Sequence, residues 1–162
     1  MTTDSKKYPT MRLITVLFIF LSFCSKLLSQ DQNGRKKQFL IENGVAISGY
    51  DPVSYFLKRP LKGKKELTFV YEGIKYQFSN TENQNAFKKT PEKYEPQFGG
   101  WCAYAMGSKG EKVEVDPETY KIVNGKLYLF FHTFFSNTLN DWNKDEKNLK
   151  AKAESNWEKY IK

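Results

Sequence analysis

Two segments near the middle of the chain alternate apolar and polar residues about a tight turn. Leu67-Thr68-Phe69-Val70-Tyr71 and Ile74-Lys75-Tyr76-Gln77-Phe78 flank Glu72-Gly73. Aromatic and β-branched residues at period two around a glycine turn predict a β-hairpin. A second hairpin is predicted where Tyr120-Lys121-Ile122-Val123 and Lys126 to Phe131 flank Asn124-Gly125, the strongest short-turn signal. Other stretches carry helix signals. Asp51-Pro52 can cap and open a short helix bearing Val53, Tyr55 and Phe56, ended by Arg59-Pro60. Ser79 and Glu82 have the spacing of a capping box, opening a helix through Ala86 and Phe87 that stops before Pro91. From Trp142 to Ile161, Leu149, Ala153, Trp157 and Tyr160/Ile161 recur at spacings of three and four, which makes one apolar stripe on a helix. The expectation is a small α+β domain over residues 38–162: two hairpins forming an antiparallel sheet, several short helices and a longer C-terminal helix.

The N-terminus follows a different pattern. Lys6, Lys7 and Arg12 precede an apolar run of 11 residues from Leu13 to Phe23, and polar residues follow at once. Such a run is short for a bilayer-spanning helix and fits the apolar region of an export signal. Cleavage after Ser29 is expected, so residues 1–29 read as a signal peptide and 30–37 as a disordered polar tail. Leu21-Ser22-Phe23-Cys24 also resembles a lipoprotein cleavage motif, which would attach the chain to a membrane through a lipid on Cys24; a retained anchor is the third reading. Each places the domain outside the cytoplasm, in the periplasm or cell envelope.

Charge changes this picture little. The chain carries a formal charge of +8. Loss of residues 1–29 removes four cationic side chains and one acidic one, leaving +5 on 133 residues. The excess is scattered, its densest clusters being Arg35-Lys36-Lys37 and Lys62 with Lys64-Lys65. It reads as a solvated surface, with some attraction to anionic membranes. No nucleic-acid-binding module is recognisable, so nucleic acid is not an expected partner. With Cys24 removed or lipidated, Cys102 has no intramolecular partner and the fold does not depend on a disulfide.

Several blocks recur in a definite order: Gly49-Tyr50-Asp51-Pro52-Val53-Ser54-Tyr55-Phe56, the hairpin Tyr71 to Ser79, then Phe87, Pro91, Tyr94 and Pro96 before Gly99-Gly100-Trp101-Cys102-Ala103-Tyr104-Ala105. Asp116-Pro117, Asn124 to Leu129 and the Trp157 helix complete the set. Together these resemble the exported, single-domain YHS family of bacteria over about residues 45–160. The resemblance implies a metal-associated or ligand-binding domain. Shorter relatives in that family carry cysteines after their Asp-Pro-Val and around the helix after the hairpin. Here Ser54 follows Asp51-Pro52-Val53, and Phe78-Ser79-Asn80 and Asn83 occupy the second region, so those thiolates are missing.

The chemistry left to weigh centres on Cys102. Its thiol is a soft-metal ligand, a redox group or a small buried hydrophobe. Cys102 and Met106 are spaced i, i+4, which on a helix puts two soft sulfurs on one face, and His132 would complete a three-coordinate site suited to a soft ion such as copper. In the alternative, Cys102 and Met106 fill core space and His132 lies on the surface. Tyr50, Asp51, Tyr55, Trp101, Cys102 and Tyr104 are the candidate ligand-binding residues, because aromatic walls with a few polar groups suit a small ligand. A plain aromatic core is the competing account. There is no dinucleotide or P-loop glycine pattern, and a single histidine rules out H-E-x-x-H, so the chain is not expected to be an enzyme. Asp51 and Asp116, each before proline, are expected to cap or turn. The functional expectation is thus an exported, non-enzymatic domain binding a metal ion or small ligand near Cys102. Its alternative is a structural or protein-interaction module of the cell envelope with that thiol buried and inert.

Overall fold

The computed structural model describes residues 33–162. The export segment, the cleavage position after Ser29 and Cys24 lie outside the described residues. Helix α1 (33–38) opens the fold, where the sequence reading expects part of a polar tail. It is held by Arg35, which pairs with Glu95 at 2.6 Å and Glu72 at 3.1 Å and lies over the Phe39 ring. A small ribbon follows, β1 (Ile41–Glu42) with β2 (Val45–Ala46), and then a 3-10 turn at Ser54–Leu57. That turn is the expected short helix, stopped by Lys58 in the left-handed conformation before Pro60.

The first predicted hairpin is β3 (Lys64–Tyr71) with β4 (Ile74–Phe78), and the second is β5 (Asp116–Val123) with β6 (Lys126–Phe130). Both turns place two successive residues at positive φ: Glu72 and Gly73 at 44° and 81°, Asn124 and Gly125 at 51° and 73°. This is the turn whose twist matches that of paired antiparallel strands. Between the hairpins run α2 (Thr81–Lys89), α3 (Pro91–Tyr94), a tight turn at Gln97–Gly100 and α4 (Ala103–Ser108). A fourth two-stranded ribbon, β7 (His132–Thr133) with β8 (Ser136–Asn137), leads into α5 (Thr138–Lys144) and α6 (Glu146–Ile161). The cap of α2 is Asn80, whose side chain accepts from the Asn83 N–H at 2.8 Å. Ser79, the expected cap, is instead drawn to Asp51.

The mixed α+β class is as expected, but each hairpin remains its own two-stranded sheet. Pro96 meets Leu127 of β6 in a single parallel bridge, and a proline offers no N–H to extend such pairing. The core is divided accordingly. Leu127 and Leu129 face one cluster, with Tyr55, Ile74, Tyr76, Phe78 and Phe87. Tyr128 and Phe130 face the other, with Phe98, Met106, Trp142, Leu149 and Ala153. Four of the five residues of β6, Leu127 to Phe130, are fully buried, two on each face. The strand's period of two therefore feeds two cores at once.

Helix α6 closes the second cluster through the predicted stripe, although Ile161 at its end is exposed. It also satisfies the end of α4: Asn156 Nδ2 donates to the Met106 carbonyl at 2.9 Å and the Tyr160 hydroxyl to the Gly110 carbonyl at 2.7 Å. Both carbonyls lie in or just past the last turn of α4, where the Met106 carbonyl also accepts from the Gly110 N–H at 3.1 Å. The two helices touch backbone to backbone at Gly107, where a Cβ would lie 2.4 Å from the Leu149 carbonyl oxygen. Gly107→Ala is accordingly expected to lower stability by about 2 kcal/mol despite the better helix propensity of alanine. Urea unfolding of the two proteins measures this; equal midpoints would show that α4 and α6 do not pack this closely.

Candidate functional site

The Gly99 to Ala105 segment sits where three parts of the fold converge. Gly99 has φ of +62°, and a Cβ there would meet Trp157 at 2.9 Å and the Phe39 backbone at 3.1 Å. Its carbonyl accepts from the Leu40 N–H at 2.9 Å, and the Trp101 indole N–H donates to the Gln38 carbonyl at 2.6 Å. The glycine is thus the point at which the chain after α1 and helix α6 press on one turn. Lys112 lies over the Tyr160 ring at 4.5 Å, and partial burial lowers its pKa. This segment locks the ends of the domain together.

Cys102 occupies the cap position of α4 and is fully buried. Its backbone N–H donates to the Val113 carbonyl at 2.9 Å. The sulfur accepts from the Phe131 N–H at 3.3 Å and lies 3.4 Å from the Thr138 hydroxyl. Thr138 Oγ1 donates to the Phe131 carbonyl at 2.8 Å. A hydroxyl has one proton to give, so the thiol is the donor towards Thr138. Cys102 is therefore both donor and acceptor in a closed network that ties α4 to the chain entering β7.

Met106 is equally buried, in the second core cluster. His132, by contrast, is 42% exposed in its side chain, and its Nδ1 is engaged by Asp116 at 3.2 Å and the Thr119 hydroxyl at 3.1 Å. The sulfur is sealed and already hydrogen-bonded to Phe131 and Thr138 while the imidazole is committed elsewhere, so this donor set does not fit a soft metal ion. Among the described residues, no three His, Cys, Asp or Glu side chains are grouped as metal ligands.

The aromatic candidates separate as well. Tyr55 belongs to the first cluster, Tyr50 packs on it from the edge, and Tyr104 packs on the second. Tyr50 donates to Glu118 at 2.7 Å under Lys62, and that hydrogen bond pushes its pKa up to about 12. The Tyr55 hydroxyl donates to the Pro117 carbonyl at 2.8 Å. Burial drives its pKa far upward. Asp51 is fully buried yet fully used. Oδ1 accepts from the Val53 N–H at 2.9 Å, while Oδ2 accepts from the Ser79 N–H, the Ser79 hydroxyl and Asn83 at 2.9, 2.6 and 2.6 Å. It is a clamp joining the 3-10 turn to β4 and α2.

One concavity was not anticipated. A cleft of about 540 Å³ lies between α1, the Gln97–Gly100 turn and α6, with Phe39, Trp157 and Tyr160 in its walls and Arg35 and Glu95 in its lining. The Arg35 guanidinium is already bonded to Glu95, Glu72 and the carbonyls of Tyr71 and Glu72, so it acts as a tether of α1. The only trace of it in the sequence is an arginine in a basic cluster, indistinguishable there from a solvated one.

Removal of the Asp51 carboxylate strands several buried donors. Asp51→Ala is expected to cost about 3 kcal/mol or more in urea unfolding; a loss under about 1 kcal/mol would mean these bonds are not made. Asp116 supplies a pH test. Burial opposes its ionisation, but hydrogen bonds from the Glu118 N–H, Thr119 and His132 prevail and hold its pKa below the ordinary value. A depressed carboxylate pKa stabilises the fold above the unfolded value near 3.8, and that stability is lost as pH falls through the folded value. Asp116→Asn should therefore be about 1 kcal/mol less stable than the parent at pH 7 and equal to it at pH 2; a gap unchanged by pH would refute the assignment.

Helices among the described residues are not long and apolar enough to cross a membrane. The chain matches no family model, no curated protein and no solved structure, so its site is read from its own residues.

Proposed function

We propose that this chain is a non-enzymatic interaction module of the cell envelope, of the exported YHS type its motifs resemble, with Cys102 as a buried structural thiol. The observation that carries this reading is the closed network around that sulfur: a donor from Phe131, an acceptor in Thr138 and no exposed surface. A thiol acts on metals and electrophiles as the thiolate, and only where they can reach it. The groups that looked like chemistry in the sequence are consumed in holding the fold. Asp51 clamps, Trp101 and Gly99 lock the ends together, and His132 braces the base of a ribbon. The cationic start and the apolar run from Leu13 to Phe23 support export. In the cleft, Arg35 and Glu95 are already paired with each other, and this favours an interaction role over small-molecule binding.

The test is the reactivity of Cys102 in the full chain, read by peptide mass so that Cys24 is scored apart. Native labelling by a small alkylating reagent is expected to run about a thousandfold or more slower than in denaturant, because it waits on opening of the fold. Copper(I) should leave the rate unchanged. Stoichiometric native labelling, or copper retained by the parent and lost in Cys102→Ser, would overturn the reading in favour of a thiol site.

A further inference from the structure

The ribbon β7–β8 ends in a turn that nothing in the fold explains. Phe134 and Phe135 are its two central residues, 94% and 93% exposed, with their rings edge to face at 5.0 Å. The other three ribbons turn on Asn43-Gly44, Glu72-Gly73 and Asn124-Gly125, each with both φ values positive. Neither phenylalanine has positive φ, and neither supplies the conformational freedom or local hydrogen bonding for which turn residues are favoured. Nor do they pack on either core cluster. Single exposed apolar residues are ordinary, but two adjacent aromatics projecting fully from a ribbon tip mark a contact surface.

The surroundings indicate its chemistry. The tip is convex, so it enters its partner instead of receiving one. Its immediate neighbours, Thr133 and Ser136, are uncharged and pair with each other across the turn. From Thr119 to Asn140 the sequence holds no carboxylate; of its two lysines, Lys121 is paired with Glu146 and Lys126 stands at the turn of the β5–β6 hairpin, so the tip itself is uncharged in a chain of net charge +8. Asp116, at the ribbon's base, is engaged by His132 and Thr119. A protein pocket would select for directional groups beside the rings, whereas the boundary between lipid headgroups and acyl chains accepts aromatic rings without them. The net positive charge of the chain as a whole adds attraction to an anionic surface.

We propose that the Phe134–Phe135 tip inserts into the interfacial layer of an anionic lipid bilayer and seats the domain against it. This names a partner for the interaction module and rests on that reading. The two rings bind weakly alone, and a second attachment, through charge or through the N-terminal segment, completes the anchoring.

The experiment is partitioning of the full chain onto phosphatidylglycerol–phosphatidylethanolamine vesicles, for the parent and for Phe134→Ser/Phe135→Ser. Because both side chains are exposed, the double variant keeps the thermal midpoint of the parent. The apolar run at Leu13 to Phe23 contributes equally to both proteins, so the ratio isolates the tip. A drop of about tenfold or more is expected. In a second measurement, bound Phe135→Trp should be quenched by lipids brominated on their acyl chains beyond the quenching seen in the parent. Equal partitioning together with no extra quenching overturns the proposal. So does a variant that changes only the oligomeric state, which would make the tip a contact between copies of this chain. Cys102 labelling is read independently of vesicles. Slow labelling with equal partitioning removes the bilayer and leaves the module, whereas fast labelling removes the module itself.

Discussion

Burial of one strand on both faces is the constraint from which the rest of this fold follows. Strand β6 has four consecutive residues without solvent exposure, and alternation sends Leu127 and Leu129 one way and Tyr128 and Phe130 the other. A strand used in this way cannot slip by one residue, because the slip would exchange both sets of side chains between two differently shaped cores. The Asn124-Gly125 turn sets that register, so a two-residue signal in the sequence positions both cores. Some strain is visible in the result. The Tyr128 hydroxyl is buried without a hydrogen-bond partner, and burial pushes its pKa up to about 12. An orphaned hydroxyl of this kind costs about 1–3 kcal/mol.

The polar groups that hold the parts together work against the same background. Asp51 is a fully buried carboxylate stabilised by four donors from three segments, and Arg35 and Glu95 pin the first helix to the hairpin and to α3. Buried polar groups are retained when every bond is met, and here they join pieces that the small two-stranded sheets do not join. Among the described residues no single continuous sheet organises the domain, so side-chain clamps take that part. The same economy explains why residues typical of binding sites are spent on architecture. Cys102, with a donor and an acceptor already in place, joins α4 to the chain before β7.

Function, on this view, is displaced from the interior to the periphery. The aromatic residues of the Gly99 to Ala105 segment and the Gly49 to Phe56 segment serve two separate cores or the seam between the N-terminal helix and α6. What the fold does not use is the Phe134–Phe135 tip, on a ribbon braced at its base by His132 and Asp116. A rigid support with an unused apolar end is what an interaction module needs. His132 therefore serves the proposed surface by bracing, not by ligation.

Local chemistry made much of the architecture legible in advance. Both main hairpins, their glycine turns, the short turn after Asp51-Pro52 and the stripe of α6 depend on contacts within a few residues, which composition and spacing report directly. Three features were not legible, for one shared reason. The N-terminal helix is held by Arg35 through Glu95, 60 residues away; Ser79 leaves its capping position for Asp51, 28 residues away; and His132 turns to Asp116 and Thr119. Each is a choice between a local partner and a distant one, settled only when the strands and helices dock. The i, i+4 spacing of Cys102 and Met106 was real, but whether those sulfurs face a cavity or the core is a property of packing. Sequence alone determined which short elements exist. Tertiary structure decided which polar groups became clamps and which apolar ones were left outside, because desolvation depends on neighbours that the chain brings from afar.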